Sequence, residues 1–204
     1  MKILVVVAMP NEMKPIKEWI KSADLKSNLD IDFLLCGMWN YEAVSSLEHY
    51  LTVNNEPTFV RNIWMCGYRN SNNKKKSGPI QVSNIINIHT EKEMIIPPFL
   101  QIAPMGTCFS GETLTYEKPQ FKKEIWTIND EMYFDMESRW IEFVVAKYKL
   151  PRLYLKVPFD FIWVETEWCI RERAVTDIPI LLQALPYNDY LEKIISRINN
   201  QNEY

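Results

Sequence analysis

The chain has 204 residues, of which 47% are apolar and 24% are charged. These fractions are ordinary for a globular domain and exclude a chain that is disordered throughout. The length suits one domain with its own hydrophobic core, so we expect residues 1–204 to form a single domain.

Charge and cysteine usage exclude several classes of function. The formal net charge is −3, so no overall basic field is present that would attract nucleic acid. The four cysteines and two histidines follow no zinc-binding spacing, and we expect neither a metal nor a cofactor. The cysteines fit reduced, buried thiols of a cytoplasmic protein. No apolar run is long enough to predict a membrane span, and the first residues do not resemble a signal peptide.

The first part of the chain alternates predicted strands with predicted helices. Residues 3–8 form a continuous, mostly β-branched run, which is typical of a strand covered on both faces. Pro15 fits the first turn of the helix that follows. Strands are predicted at 31–36 and 59–65, and Asn40 is suited to cap a helix between them. This order predicts crossover connections and a mostly parallel sheet.

The second part of the chain contains more strands. A polar loop is expected at residues 68–79. Further strands are expected at 80–88, 100–103, 112–115, 131–136 and 153–157. Helices are expected at 139–148, 171–184 and 187–199. The pattern therefore predicts an α/β domain.

Six segments, in fixed order, resemble one enzyme family. The start, M-K-I-L-V-V-V-A-M-P-N-E, resembles the first strand and turn of 5′-methylthioadenosine/S-adenosylhomocysteine nucleosidases, and it ends at Glu12. The other segments resemble the family's S-G-I-G-K, G-D-I-V-V-S, S-G-D-x-F-I, V-E-M-E-A and V-V-R-A-I-S-D stretches. They are C-G-M-W-N (36–40), G-P-I-Q-V-S (78–83), S-G-E-T-L-T (110–115), F-D-M-E-S (134–138) and Y-L-K-V-P-F-D (154–160).

The order and spacing of these segments carry the resemblance, since each motif is short. The chain resembles a divergent member of the nucleoside phosphorylase and nucleosidase superfamily. That resemblance implies a phosphorylase/hydrolase-like fold, which is a three-layer αβα sandwich with a central mixed, mostly parallel twisted sheet.

The resemblance assigns three carboxylates to a nucleoside pocket. Asp160 matches the acid that protonates the leaving base, which requires a carboxyl pKa raised by burial. Glu137 matches the residue that accepts hydrogen bonds from the ribose hydroxyls, with Met136 beneath the sugar. Glu12 matches the base that holds the attacking water. Ordinary alternatives stay open: a turn or cap residue for Asp160, and first-turn helix residues for Glu137 and Glu12.

The same resemblance predicts further pocket-lining residues: Met9, Tyr68, Arg69, Leu114, Thr115, Lys156 and Phe159. Leu114 and Thr115 match positions that contact the base, and Tyr68 is the nearest aromatic candidate to stack on it. Arg69 and Lys156 would bind an anionic group on the 5′ side of a substrate if both face the pocket. The alternative is a surface arginine and a lysine whose ammonium extends to solvent.

The chain also departs from the family. Residues 67–71 replace a glycine-rich turn after the third strand, and Phe159 replaces a serine just before Asp160. Asp135 is expected to point away from the site, because side chains alternate along a strand. The segment 95–99 matches a region that family members use at their dimer contact, so we expect a homodimer.

The predicted function is that of a metal-free purine nucleoside N-ribosylhydrolase acting on a small-molecule nucleoside. A phosphate-dependent phosphorylase is the first alternative, although the first 60 residues contain no arginine that would gather phosphate. A catalytically silent nucleoside-binding protein is the second alternative, and the altered residues 68–71 and Phe159 favour it.

Overall fold

The computed structural model describes residues 2–22, 30–37, 40–54, 59–70, 78–97, 100–112, 131–161, 192–194 and 196–197. The elements within these ranges are β1 (Lys2–Val7), α1 (Pro10–Ser22), β2 (Asp30–Leu35), α2 (Asn40–Val53), β3 (Phe59–Asn70), β4 (Ile80–Asn87), β5 (Glu93–Ile95), β6 (Met105–Ser110), β7 (Glu131–Asp135), α3 (Ser138–Lys147) and β8 (Arg152–Phe161). Residues 192–194 and 196–197 are helical. Among the described helices, none combines the length and the hydropathy needed to cross a bilayer.

The eight strands form one mixed sheet that partly closes into a barrel. The order along the sheet is β2, β1, β3, β7, β6, β4 and β5, and β8 pairs with both β3 and β4. β3, β7, β6, β4 and β8 therefore form a closed ring, from which β1 and β2 extend beside β3. The α/β class and the mixed sheet are confirmed. A three-layer, mostly parallel sandwich is not confirmed, because the ring includes the antiparallel pairs β3–β7 and β4–β8.

The barrel closes because β3 is long enough to pair with β1, β7 and β8. This strand is longer than predicted from the sequence. Residues 59–62 pair in parallel with β1, and residues 67–70 pair antiparallel with β7. β8 covers the opposite edge of β3 from Val60 to Tyr68. The prediction that the third strand ends at residue 65 is therefore wrong. The predicted loop also begins too early, since the strand continues to Asn70.

Burial of Tyr68 explains this continuation. The Tyr68 side chain is 1% exposed, and its ring centroid lies 5.3 Å from that of Tyr133 on β7. The hydroxyl groups of Tyr68 and Tyr133 both donate to the carboxylate of Glu131, at 3.3 and 2.8 Å. The segment predicted as a polar loop thus begins with a tyrosine that packs against Tyr133 in the core.

Several predicted elements agree with the structure to within two residues at each end: β1, β2, β4, β7 and α3. The helix predicted to follow Asn40 is α2, which begins at Asn40 itself. On α2, Ala43 and Leu47 are fully buried, as the helical spacing of the apolar residues predicted. Helix α1 differs, because it begins at Pro10 and contains Pro15 in its interior. The expectation that Pro15 occupies the first turn is wrong, since Pro10 holds that position.

Two strands were not predicted. β5 has only three residues, which is too short for a periodic pattern. β6 contains Gly106, a weak strand former, yet a Cβ at this position would lie 2.9 Å from Ile80 Cδ1 and 3.0 Å from Tyr133 Cε2. Close packing against Gly106 therefore holds β6 in the barrel. The strands expected at 100–103 and at Glu112 are absent from the described residues, and 113–115 lies outside them.

Of the two predicted C-terminal helices, the first, at 171–184, lies outside the described residues. The second, at 187–199, is described only at 192–194 and 196–197, where the chain is helical.

Candidate active site

Glu12 is buried in the first turn of α1. Its side chain is 1% exposed, and Oε2 accepts a hydrogen bond from the backbone N–H of Met9 at 3.0 Å. The carbonyl of Met9 accepts in turn from the N–H groups of Glu12 and Met13. This hydrogen bond is the glutamate half of a capping box. Glu12 therefore does act as an ordinary first-turn helix residue, which was the alternative to a catalytic role. Burial of a glutamate to this extent is nevertheless uncommon.

Glu137 lies between β7 and α3. It is 6% exposed and occupies the N-cap position of α3, but its side chain makes no capping hydrogen bond. Instead, Oε2 accepts the backbone N–H of Met136 at 3.3 Å. Burial raises the pKa of Glu137 well above its ordinary value, and the carboxylates of Asp135 and Glu12 raise it further, against the lowering effect of Lys156. The helix-start alternative thus does not account for this buried carboxyl.

Asp135 and Lys156 form a buried ion pair beside Glu137. The exposed fraction is 2% for the Asp135 side chain and 0% for the Lys156 side chain. The Asp135 carboxylate also accepts hydrogen bonds from the N–H and the hydroxyl of Ser138. We expected Asp135 to face away from the site, but its charge acts on Glu137. The strand alternation that suggested otherwise ends at Asp135, where the chain turns into α3.

Lys156 is fully buried, so the alternative in which its ammonium extends to solvent is wrong. Its ammonium is paired with Asp135, because a buried charge requires a counter-charge. Binding of a substrate anion by Lys156 stays a prediction. The backbone of Arg69 lies in β3 opposite Met132, and its side chain lies outside the described part of the structure.

Asp160 follows a bulge in β8. Cys66 lies opposite Pro158 and Gly67 lies opposite Asp160, so Phe159 is the extra residue. Bulges of this kind redirect side chains and are frequent beside active sites. Phe159 is 3% exposed and Asp160 is half-buried. The replacement of the family's serine therefore falls on the irregular position of the strand.

Several charged groups affect the pKa of the buried Cys66 thiol on β3. Burial raises the pKa of Cys66 well above its ordinary value. The carboxylates of Asp135, Asp160 and Glu12 raise it further, and the ammonium of Lys156 lowers it. Groups from α1, β7 and β8 thus act on one buried atom.

Cys36, just after β2, links the third predicted carboxylate to this group. Burial raises its pKa above the ordinary value, and Glu137 and Glu12 raise it further. Glu12 and Glu137 thus both raise the pKa of Cys36, and Glu12 and Asp160 both raise the pKa of Cys66. Each of the three carboxylates thus affects the pKa of Cys36, of Cys66 or of both; their catalytic and binding roles stay predictions.

The other predicted pocket residues differ in where they lie. Met136 is 8% exposed beside Glu137, and Met9 is partly buried against the main core. Tyr68 packs against Tyr133 in the core. Its stacking on a base stays a prediction. Leu114 and Thr115 lie outside the described residues.

A surface cavity of about 320 Å³ lies between α1 and the end of β2. It is lined by Pro10, Met13, Lys14, Lys17, Glu18 and Leu35. None of the three predicted carboxylates lines this cavity, so it is not the predicted nucleoside pocket.

No protein-family model and no curated protein sequence matches the chain. Solved structures do match over almost the whole chain. A futalosine hydrolase mutant of Helicobacter pylori has a TM-score of 0.74 at 12% identity, covering 96% of this chain and 99% of that one. The chain has a nucleosidase fold.

Two further structures with this nucleosidase fold carry ligands. A 5′-methylthioadenosine/S-adenosylhomocysteine nucleosidase of Helicobacter pylori, solved with butyl-thio-DADMe-Immucillin-A, has a TM-score of 0.69 at 12% identity, covering 98% of each chain. An MTAN of Chlamydia trachomatis bound to MTA has a TM-score of 0.66 at 16% identity, covering 95% of this chain and 99% of that one. The superfamily resemblance is thus confirmed as one of fold.

Proposed function

We propose that the protein is a nucleoside N-ribosylhydrolase that acts on purine nucleosides. One observation carries the proposal: within a fold shared with nucleosidases, Glu12 and Glu137 are buried carboxyl groups at helix starts, and Asp160 follows the bulge of β8. Carboxyl groups at the strand ends of an α/β sheet are suited to acid–base chemistry on a small ligand.

In the proposed reaction, the bond between the ribose anomeric carbon and the base nitrogen breaks, and water supplies the new bond to the sugar. Asp160 donates a proton to a ring nitrogen of the leaving base, which then departs as a neutral molecule. Glu12 accepts the proton that the attacking water loses. Solvent returns one proton from Glu12 to Asp160, so both residues regain their starting states.

Glu137 is proposed to bind the ribose hydroxyls. Its pKa is raised by burial, so ligand-free protein holds a proton there above the ordinary range of a glutamate. Two hydroxyl donors favour the ionised form, which then stabilises positive charge developing on the sugar ring. We therefore expect nucleoside binding to release a proton from Glu137.

The assembly and location are proposed by the same resemblance: a cytoplasmic homodimer. The exposed side chain of Ile95 supports the dimer, since it is 75% exposed at the start of the segment 95–99. A large apolar side chain of this kind suits a subunit contact.

A nucleoside panel tests the proposed activity. Purine and pyrimidine nucleosides, with neutral and anionic 5′ groups, are incubated with and without phosphate, and the free base is measured by chromatography. We expect base release from a purine nucleoside without phosphate. Asp160→Asn should lower this rate by about 10²–10⁴-fold, the usual contribution of a general acid. The exposed Asp30→Asn on β2 is the matched control and should retain the rate.

Each other outcome selects an alternative. Base release that requires phosphate and yields ribose 1-phosphate identifies a phosphorylase. Thermal stabilisation by nucleosides without turnover identifies a silent binding protein. Absence of both effects across the panel overturns the nucleoside proposal.

A further inference from the structure

We propose that the buried Asp135–Lys156 ion pair is the positioning device of the site: it holds the turn that carries Glu137 against the strand that carries Asp160. The purpose of this device rests on the proposed nucleosidase function. Its effect on Glu137 does not, and can be measured without a substrate.

The turn from β7 to α3 depends on the carboxylate of Asp135. Asp135 is the last residue of β7 and Ser138 is the first of α3, so Met136 and Glu137 are the only residues between them. The Asp135 carboxylate accepts the Ser138 N–H at 3.3 Å and also the Ser138 hydroxyl. Such side-chain-to-backbone bonds fix the backbone of a short turn. Asp135 therefore determines the direction in which Glu137 projects.

Lys156 joins this turn to another part of the barrel. It lies on β8, four residues before Asp160. β7 and β8 are not neighbours, because β3 lies between them and pairs with both. The ion pair therefore crosses β3 and ties together two strands that share no backbone hydrogen bonds among the described residues. Both charges of the pair affect the pKa of Cys66 on β3: Asp135 raises it and Lys156 lowers it.

The two charges of the pair act on Glu137 in opposite directions. The charged groups that affect the pKa of Glu137 are Asp135 from β7, Lys156 from β8 and Glu12 from α1. The charge of Glu137 in turn raises the pKa of Cys36, just after β2. Removal of the lysine charge leaves Glu137 among carboxylates, so its ionisation becomes harder. Removal of the Asp135 charge makes ionisation easier. An ion pair that lay far from Glu137 would produce neither shift.

The test is a carboxyl NMR titration of the ligand-free protein labelled with ¹³C-glutamate, in which the Glu137 signal is identified by its loss in Glu137→Gln. We expect Lys156→Met to raise the Glu137 pKa and Asp135→Asn to lower it, each by about one unit or more. Lys156→Arg keeps the positive charge and should titrate close to the wild type.

Arg152→Met is the matched control. It breaks another ion pair of β8, which is partly buried and in which Arg152 Nη2 lies 2.5 Å from Glu142 Oε1. This variant should lose stability without moving the Glu137 titration. If Lys156→Met does not fold, its effect is measured as the difference between Asp135→Asn/Lys156→Met and Asp135→Asn alone, where the added change must raise the pKa.

Two results overturn the inference: shifts of the same sign from both halves of the pair, or no shift beyond that of Arg152→Met. Where a substrate is found, the same variants should displace the pH profile of kcat/KM in the same two directions. Failure of the nucleoside panel removes the proposed function but leaves the titration result standing, so the two failures are distinguishable.

Discussion

Glu12 and Met9 are joined by two reciprocal hydrogen bonds. The N–H of Met9 donates to Glu12 Oε2 at 3.0 Å, and the N–H of Glu12 donates to the carbonyl of Met9 at 3.2 Å. The contact that starts α1 therefore also fixes a buried carboxylate at the end of β1. Substitution can separate the structural role of Glu12 from its proposed catalytic role.

Glu12→Gln separates the two roles. The amide oxygen of glutamine still accepts the Met9 N–H, so the free energy of unfolding should change by less than about 1 kcal/mol. An amide cannot accept the proton of the attacking water, so kcat should fall by about 10²–10⁴-fold. Urea unfolding and base release measure the two effects. Glu12→Ala additionally removes the cap and should cost about 0.5–2 kcal/mol. Unchanged kcat in Glu12→Gln would reduce Glu12 to a capping residue.

Glu137 should make the stability of the protein depend on pH. The folded protein keeps a proton on Glu137 above pH 4.5, where the unfolded chain has lost it. The free energy of unfolding therefore falls as pH rises from 4.5 towards the raised folded pKa of Glu137, by up to about 1.4 kcal/mol per pH unit.

Glu137→Gln removes this penalty, so its stability relative to the wild type should increase with pH. Urea unfolding between about pH 5 and 8 measures the difference. Glu18→Gln is the control, since the Glu18 side chain is 59% exposed. A stability difference that stays constant over this range would show that Glu137 ionises normally.

Tyr154 should contribute to the docking of α3 on β8. Its hydroxyl is buried and donates to Glu142 Oε2 at 2.8 Å, beside the contact of Arg152 Nε with the same oxygen at 3.0 Å. Tyr154→Phe removes one hydrogen bond to a charged group and should lower the free energy of unfolding by about 1.5–3 kcal/mol. Tyr148→Phe, at a 38% exposed position, is the matched control. Equal unfolding midpoints for the two variants would contradict this account.

Local patterns in the sequence predicted much of the fold. The β-branched run of β1 and the apolar spacing of α2 lead to the elements observed. Long-range contacts decided the rest. Gly106 lowers the strand propensity of β6. A glycine fits there because Tyr133, on a different strand, packs closely against it. The length of β3 likewise depends on the packing of Tyr68. Neither partner can be read from local periodicity.

The candidate site depends on the resemblance rather than on local patterns. The resemblance selected Glu12, Glu137 and Asp160, but it did not identify Asp135 as a part of their surroundings. One signal was present: Lys156 stands within an apolar strand, and a buried lysine needs a carboxylate partner. Which carboxylate supplies it depends on how β7 and β8 lie across β3, and that follows only from the three-dimensional structure.

The most direct test of the account is a crystal structure of the protein soaked with adenine and with a purine nucleoside analogue. The account predicts one ligand site in which a base nitrogen lies within about 3 Å of Asp160 and the ribose hydroxyls lie within about 3 Å of Glu137, with Glu12 on the side of the anomeric carbon. A nucleoside bound elsewhere, such as in the surface cavity against α1, or a site in which the base and the ribose contact none of these carboxylates, would contradict it.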